Sequence, residues 1–137
     1  MGSYIKIYIL AFIIFMGIDL IWLGVLAKDF YRSQLGSFLK DSYNMKAALL
    51  FYIVYISGII FFVVSKAIAS GSWQYAIFAG MFYGFVTYST YGITNYSTIK
   101  DWPTFLTIID IGWGTVLCGL TSYLTYIVAS NFSFFLK

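Results

Sequence analysis

The sequence predicts an all-α integral membrane protein: four transmembrane helices in an up-down bundle, with a short interfacial helix between the first two, forming one domain over residues 1–137. Three observations carry this. Of the 137 residues, 61% are hydrophobic and only 9% charged, and the mean hydropathy is +0.87, whereas a soluble domain carries about 25% charged residues on its surface and elsewhere. The ionisable side chains gather at 28–46 and around Lys66, Lys100 and Lys137. The apolar stretches between them reach the length of about 20 residues that a spanning helix needs.

The first span runs from about Tyr4 to Ala27, broken only by Lys6 near its entry and Asp19 deeper in, and Lys28 closes it. Val25, Leu26 and Ala27 look like a signal-peptide cleavage site, but the apolar run before them exceeds the roughly 7–15 residues of a signal core. From Lys28 the pattern changes. Phe30, Tyr31, Gln34, Leu35, Phe38 and Leu39 recur at helical spacing, with Lys28, Asp29, Arg32, Lys40 and Asp41 at the other positions, as in a helix lying among headgroups. Gly36 weakens that helix.

The second span, about Ala47 to Ser65, opens at Asn44 as an N-cap and ends at Lys66. It has no internal charge and reads as scaffold. Ser70, Gly71 and Ser72 form a turn, after which Trp73 and Tyr75 suit a membrane interface. The third span, about Gln74 to Asn95, carries Tyr83, Thr87, Thr90, Tyr91 and Thr94 along one helical face, and a second stripe of Ala76, Gly80 and Gly84 that lets a neighbouring helix approach closely. A homodimer through Gly80 and Gly84 is one expectation from that stripe. Lys100 to Pro103 make the last turn, with Pro103 suited to the first helical position. The fourth span runs from about Thr104 to Ala129 and holds Asp110, with Gly112, Thr115, Gly119 and Ser122 as another small-residue face.

Composition also narrows the chemistry. The chain has no histidine and no glutamate, which removes His-based triads, HExxH zinc sites and His-ligated haem. Its single cysteine, Cys118, has no partner for a disulfide. The only oxygen ligands inside the spans are Asp and Asn, a set that suits Mg²⁺ better than Zn²⁺, and no metal or other cofactor is expected. Eight cations spread over separate loops do not form a nucleic-acid-binding stripe. Lys28, Arg32, Lys40, Lys46 and Lys100 fall on one side, five cations against three for Lys6, Lys66 and Lys137. The positive-inside rule puts the five in the cytoplasm and both termini outside.

Asp19 and Asp110 stand out, because a charged Asp at a helix centre costs about 2.5–3.5 kcal/mol even on lenient insertion scales. Antiparallel packing puts them at similar depth near the loop-rich face. Each lies in the same local pattern: Ile18, Asp19, Trp22 and Gly24 against Ile109, Asp110, Trp113 and Gly114. The D-x-x-W spacing sets each Trp on its Asp's helical face. Asn95 reaches the same depth, with Arg32 and Lys100 just beyond, so these residues can converge on an aromatic-walled pocket open to the cytoplasm. Carboxylates within hydrogen-bonding reach of each other would share a proton, as acid–base or proton-coupled chemistry requires. The plainer alternative has the two Asp residues capping helix ends or pairing with Arg32 and Lys100 to hold loops down.

IDLIWLG at Ile18–Gly24, FYRSQLG at Phe30–Gly36, YGITNYSTIKDWP at Tyr91–Pro103 and DIGWGT at Asp110–Thr115 resemble, over nearly the whole chain, a bacterial family catalogued as domain of unknown function twenty-one seventy-seven. An acidic residue commonly stands in that family where this chain has Gly92. The resemblance implies a multi-pass protein of the bacterial inner membrane and, through neighbouring genes for fatty-acid modification, a lipid-related role. It points to Asp19, Trp22, Tyr31, Arg32, Thr94, Asn95, Asp110 and Trp113 as the positions of a ligand site.

The leading functional expectation is therefore binding of a membrane lipid or small amphiphile in this pocket, since such sites are mostly apolar with few polar anchors. A proton-coupled small-molecule transporter is the alternative, and an intramembrane enzyme using the Asp pair is the second.

Overall fold

The computed structural model describes residues 2–26, 28–36 and 44–136. Helix α1 (Gly2–Ile21) ends in a π turn at Trp22–Leu26. A short α2 (Lys28–Leu35) follows, and then α3 (Met45–Ile59), a second π turn (Ile60–Val64) and α4 (Ser65–Ser70) form one continuous rod. The long α5 (Trp73–Thr98) and α6 (Thr104–Asn131) complete the fold, before a 3₁₀ turn at Ser133–Phe135.

The caps follow local chemistry. The Asn44 side chain accepts from the Ala47 amide at 3.1 Å, and the Ser72 hydroxyl accepts from the Tyr75 amide at 3.0 Å, each satisfying a backbone donor that the first helical turn leaves open. Gly71 closes α4 at φ 64°, a left-handed position that glycine takes without steric penalty. Pro103 occupies the N-cap with extended backbone rather than the first helical position, and α6 starts at Thr104 as expected. The part of the interfacial helix containing Phe38, Leu39, Lys40 and Asp41 lies outside the described residues; α2 supplies the part through Leu35.

Among the described residues, three helices are long and apolar enough to cross a membrane: Gly2–Val25, Met45–Ser70 and Thr104–Asn131. The α5 helix, read from the sequence as a fourth crossing, has the length, 26 residues, but is not one of the three. Its Tyr, Thr, Ser and Gly residues lower its hydropathy.

Helix α6 is the central rod, packed against α1, α4, α5 and the second π turn. Ala11, Phe15, Ile56, Ile59, Val64, Leu117 and Cys118 are buried together at its centre. Neighbouring rods run antiparallel. Trp22 at the end of α1 meets Trp113 near the start of α6, while Lys6 donates to the Phe134 carbonyl at the opposite end. The α5–α6 contact is close because of glycine. A Cβ at Gly80 would come within 2.8 Å of the Cys118 carbonyl oxygen, and one at Gly84 would collide with the Gly114 backbone. The small-residue stripe thus serves a helix contact as expected, but inside the chain: α6 already occupies the surface through which a Gly80/Gly84 homodimer would form.

Candidate functional site

Each D-x-x-W segment supports the other's carboxylate. Asp19 is 7% exposed on the last turn of α1. It accepts from the Tyr52 hydroxyl of α3 at 2.8 Å and from the indole nitrogen of Trp113 on α6 at 3.3 Å. Asp110, on α6, accepts from the Tyr31 hydroxyl of α2 at 2.6 Å, and that hydroxyl in turn accepts from the Trp22 indole at 3.2 Å. The two indoles stack with centroids 4.4 Å apart and planes 10° from parallel. Helical spacing does put each Trp on its own Asp's face, but the antiparallel packing of α1 and α6 sends each indole towards the other helix's acid.

Donors to carboxylates form strong hydrogen bonds, and together they fix α1, α2, α3 and α6 at this end of the molecule. Burial first, then the neighbouring Asp110, raises the Tyr31 phenol above the ordinary tyrosine range, so Tyr31 remains a donor at neutral pH. Among the described residues no hydrogen bond joins the two carboxylates. The shared-proton contact expected of an Asp dyad is replaced by separate tyrosine and tryptophan donors on each acid.

Beside Asp110 a cavity of about 460 Å³ opens, lined by Phe51, Val54 and Tyr55 of α3, by Tyr83, Thr87, Tyr88 and Tyr91 of α5, and by Asp110 itself. Phe51, Val54 and Tyr91 are exposed, which puts the mouth between α3 and α5. The interior is held by hydrogen bonds. The Thr87 hydroxyl donates to the Tyr83 carbonyl at 2.9 Å, so its bond with the Tyr55 hydroxyl at 2.6 Å has Tyr55 as donor. The Cys118 thiol is 3.0 Å from the same Tyr55 oxygen. Tyr83 donates to the Tyr55 carbonyl at 3.3 Å.

Two glycines shape the walls. A Cβ at Gly58 would meet the Tyr83 ring, and one at Gly114 would overlap the Tyr88 ring. The absence of a side chain leaves room for the hydroxyl end of Tyr83 at Gly58 and for the ring of Tyr88 at Gly114. The second π turn, immediately after Gly58 and Ile59, adds a residue to the helical turn that follows the cavity-lining stretch of α3; such bulges recur at functional sites.

Of the residues expected at the site, Asp19, Trp22, Tyr31, Asp110 and Trp113 come together. Asn95 is half-buried on α5, one turn from Tyr91, and makes no hydrogen bond to either carboxylate among the described residues. Thr94 and Arg32 are exposed, and among the described residues neither acid pairs with Arg32 or Lys100. The Tyr31–Asp110 bond, which ties α2 to α6, joins two of the expected site residues instead. Sequence reasoning missed Tyr52, Tyr55 and Tyr88. Tyr52 and Tyr55, three apart in a helix otherwise read as scaffold, were the available signal, since two phenols on one face of an apolar helix need partners.

A family model described as predicted membrane protein (DUF2177) matches residues 4–127. The chain belongs to this family. No curated protein and no solved structure matches it. Both D-x-x-W segments, α2 and the cavity lining all fall inside the stretch that the family model covers.

Proposed function

We propose that this membrane protein binds a lipid or other small amphiphile from the bilayer in the cavity between α3, α5 and α6, in a lipid-related accessory role at the bacterial inner membrane. The observation that carries the reading is the cavity's form: about 460 Å³, walled mainly by aromatic rings, with Asp110 and a few hydroxyls as its polar groups and a mouth on the side of the molecule. Ligand pockets commonly enclose about 300–1,000 Å³ and combine apolar walls with few polar anchors. A mouth between two helices admits a molecule already dissolved in the membrane.

The same reading has α5 as a fourth crossing within one domain. At about 1.5 Å per residue its 26 residues reach about 39 Å. Its polar residues Tyr83, Thr87 and Tyr88 face the cavity, while Phe78, Phe82, Phe85 and Ile93 point outwards. A helix of low mean hydropathy can therefore present an apolar surface to lipid. In this arrangement α2 lies at the cytoplasmic interface, with Asp29, Arg32 and Ser33 outward and Phe30 packed on Phe105 at 5.5 Å. The stacked Trp22–Trp113 pair with Asp19, Tyr31 and Asp110 forms the polar end of the binding site.

Native mass spectrometry of protein released from lipid nanodiscs tests this. The wild type should retain a lipid-mass adduct, and Val54→Trp, which plugs the mouth from a position 63% exposed, should lose it. Equal adducts on both proteins would remove the cavity as the binding place.

A further inference from the structure

We propose that the cavity selects amphiphiles with a positively charged amine or quaternary ammonium head, held by Asp110 and by the faces of the tyrosines around it. This rests on the amphiphile-binding reading and adds the chemistry of the head. Among the described residues, Asp110 is the single charged one on the cavity's lining. Its Oδ1 is engaged by Tyr31, and the side chain also borders the cavity. An anionic head entering there would meet a like charge among apolar walls, where attraction and repulsion are both strengthened by the low dielectric. A neutral alcohol would leave the carboxylate without a counter-charge.

The tyrosines supply the second half of the argument. The Tyr55 and Tyr83 centroids are 5.3 Å apart at 35°, and the Tyr55 and Tyr88 centroids 6.1 Å apart at 65°. Tyr55 also stacks on Phe51 at 5.3 Å and 16°, so these rings join into one continuous aromatic wall along the cavity. Tyr91 stands on the rim, one helical turn beyond Thr87 and on the same side as Asp110's end of the cavity. Aromatic faces attract cations within about 6 Å of the centroid, and boxes of aromatic rings are a recurring means of holding quaternary ammonium groups. Gly58 and Gly114 matter here because any side chain at either would push Tyr83 or Tyr88 out of place. The aromatic wall and the acid thus occupy one cavity, and its apolar mouth at Phe51 and Val54 leaves a path for the alkyl chain towards lipid.

The experiment uses full-length protein in a neutral maltoside detergent, titrated calorimetrically with decyltrimethylammonium, decanol and decyl phosphate, which share a chain and differ in the head. The wild type should bind the ammonium probe saturably and at least about tenfold more tightly than the other two, the scale expected when a buried charge gains its partner. Asp110→Asn should remove that preference. Tyr91→Leu, at an exposed rim position, should weaken the ammonium probe about threefold to tenfold, within the range of one cation–π contact, and weaken decanol less. If all three probes bind alike to wild type and both variants, while Val54→Trp abolishes them all, the amphiphile reading stands and the head selectivity is overturned. If no probe binds the wild type, both readings fail.

Discussion

Asp19 takes hydrogen bonds from Tyr52 and Trp113, so one side chain of α1 holds α3 and α6 in register. Truncating it strands two part-buried donors, each costing about 1–3 kcal/mol when left without a partner. Asp19→Ala should therefore lower the melting temperature in detergent clearly, and Asp19→Asn, which keeps one acceptor oxygen, should lower it less. An alanine variant that melts with the wild type would show these bonds to be energetically idle. The D-x-x-W repeat made both acids and both tryptophans legible before any fold was known, because spacing along a helix determines which face a side chain takes. It could not reveal the exchange of partners: Trp113 reaches Asp19, and Trp22 reaches Asp110 through Tyr31. That depends on which helix lies opposite, and on a stacking distance between residues 91 positions apart. Depth along the chain points to Arg32, and a helical stripe and sequence block to Thr94, but neither fixes how close a side chain comes to the acids, and both are exposed.

The α5–α6 pair shows the same division for whole elements. Gly80 and Gly84 were legible as a close-packing face, and α6 is what packs there. On α6 the glycines separate into two kinds that sequence spacing does not distinguish. A Cβ at Gly112 meets nothing within 4 Å, whereas one at Gly114 overlaps the Tyr88 ring. Gly112→Ala should therefore be neutral or raise stability by up to about 1 kcal/mol, since alanine is the better helix former. Gly114→Ala should lower it by about 1–3 kcal/mol, the usual cost of overpacking, and should displace Tyr88 from the cavity wall. Thermal unfolding of the two single variants in one detergent compares them directly, and equal melting temperatures would mean that Tyr88 moves aside without cost. The hydropathy of α5 leaves it outside the three helices apolar enough to span. A length-averaged index does not separate a helix with one polar face turned inward from one that is moderately polar all round.

For the molecule as a whole, the charge distribution predicts that α2 faces the cytoplasm and the end of α6 the exterior, five cations against three. Cys118 is fully buried and gives a quiet background for labelling. In intact cells, Ser130→Cys should react with a membrane-impermeant maleimide, and Ser33→Cys should react only after the cells are opened. The reverse pattern would turn the molecule over and place the polar end of the cavity outside. Composition, helix lengths and the positions of the charges follow from the sequence alone, because the cost of putting polar groups and unpaired backbone into hydrocarbon acts on each segment separately. The cavity was decided only by tertiary structure. Its walls are tyrosines that any one helix could bury or expose, and they became a cavity when α5, packed against the π turn that continues α3, left space beside α3, while Gly58 and Gly114 gave Tyr83 and Tyr88 room against the facing helices.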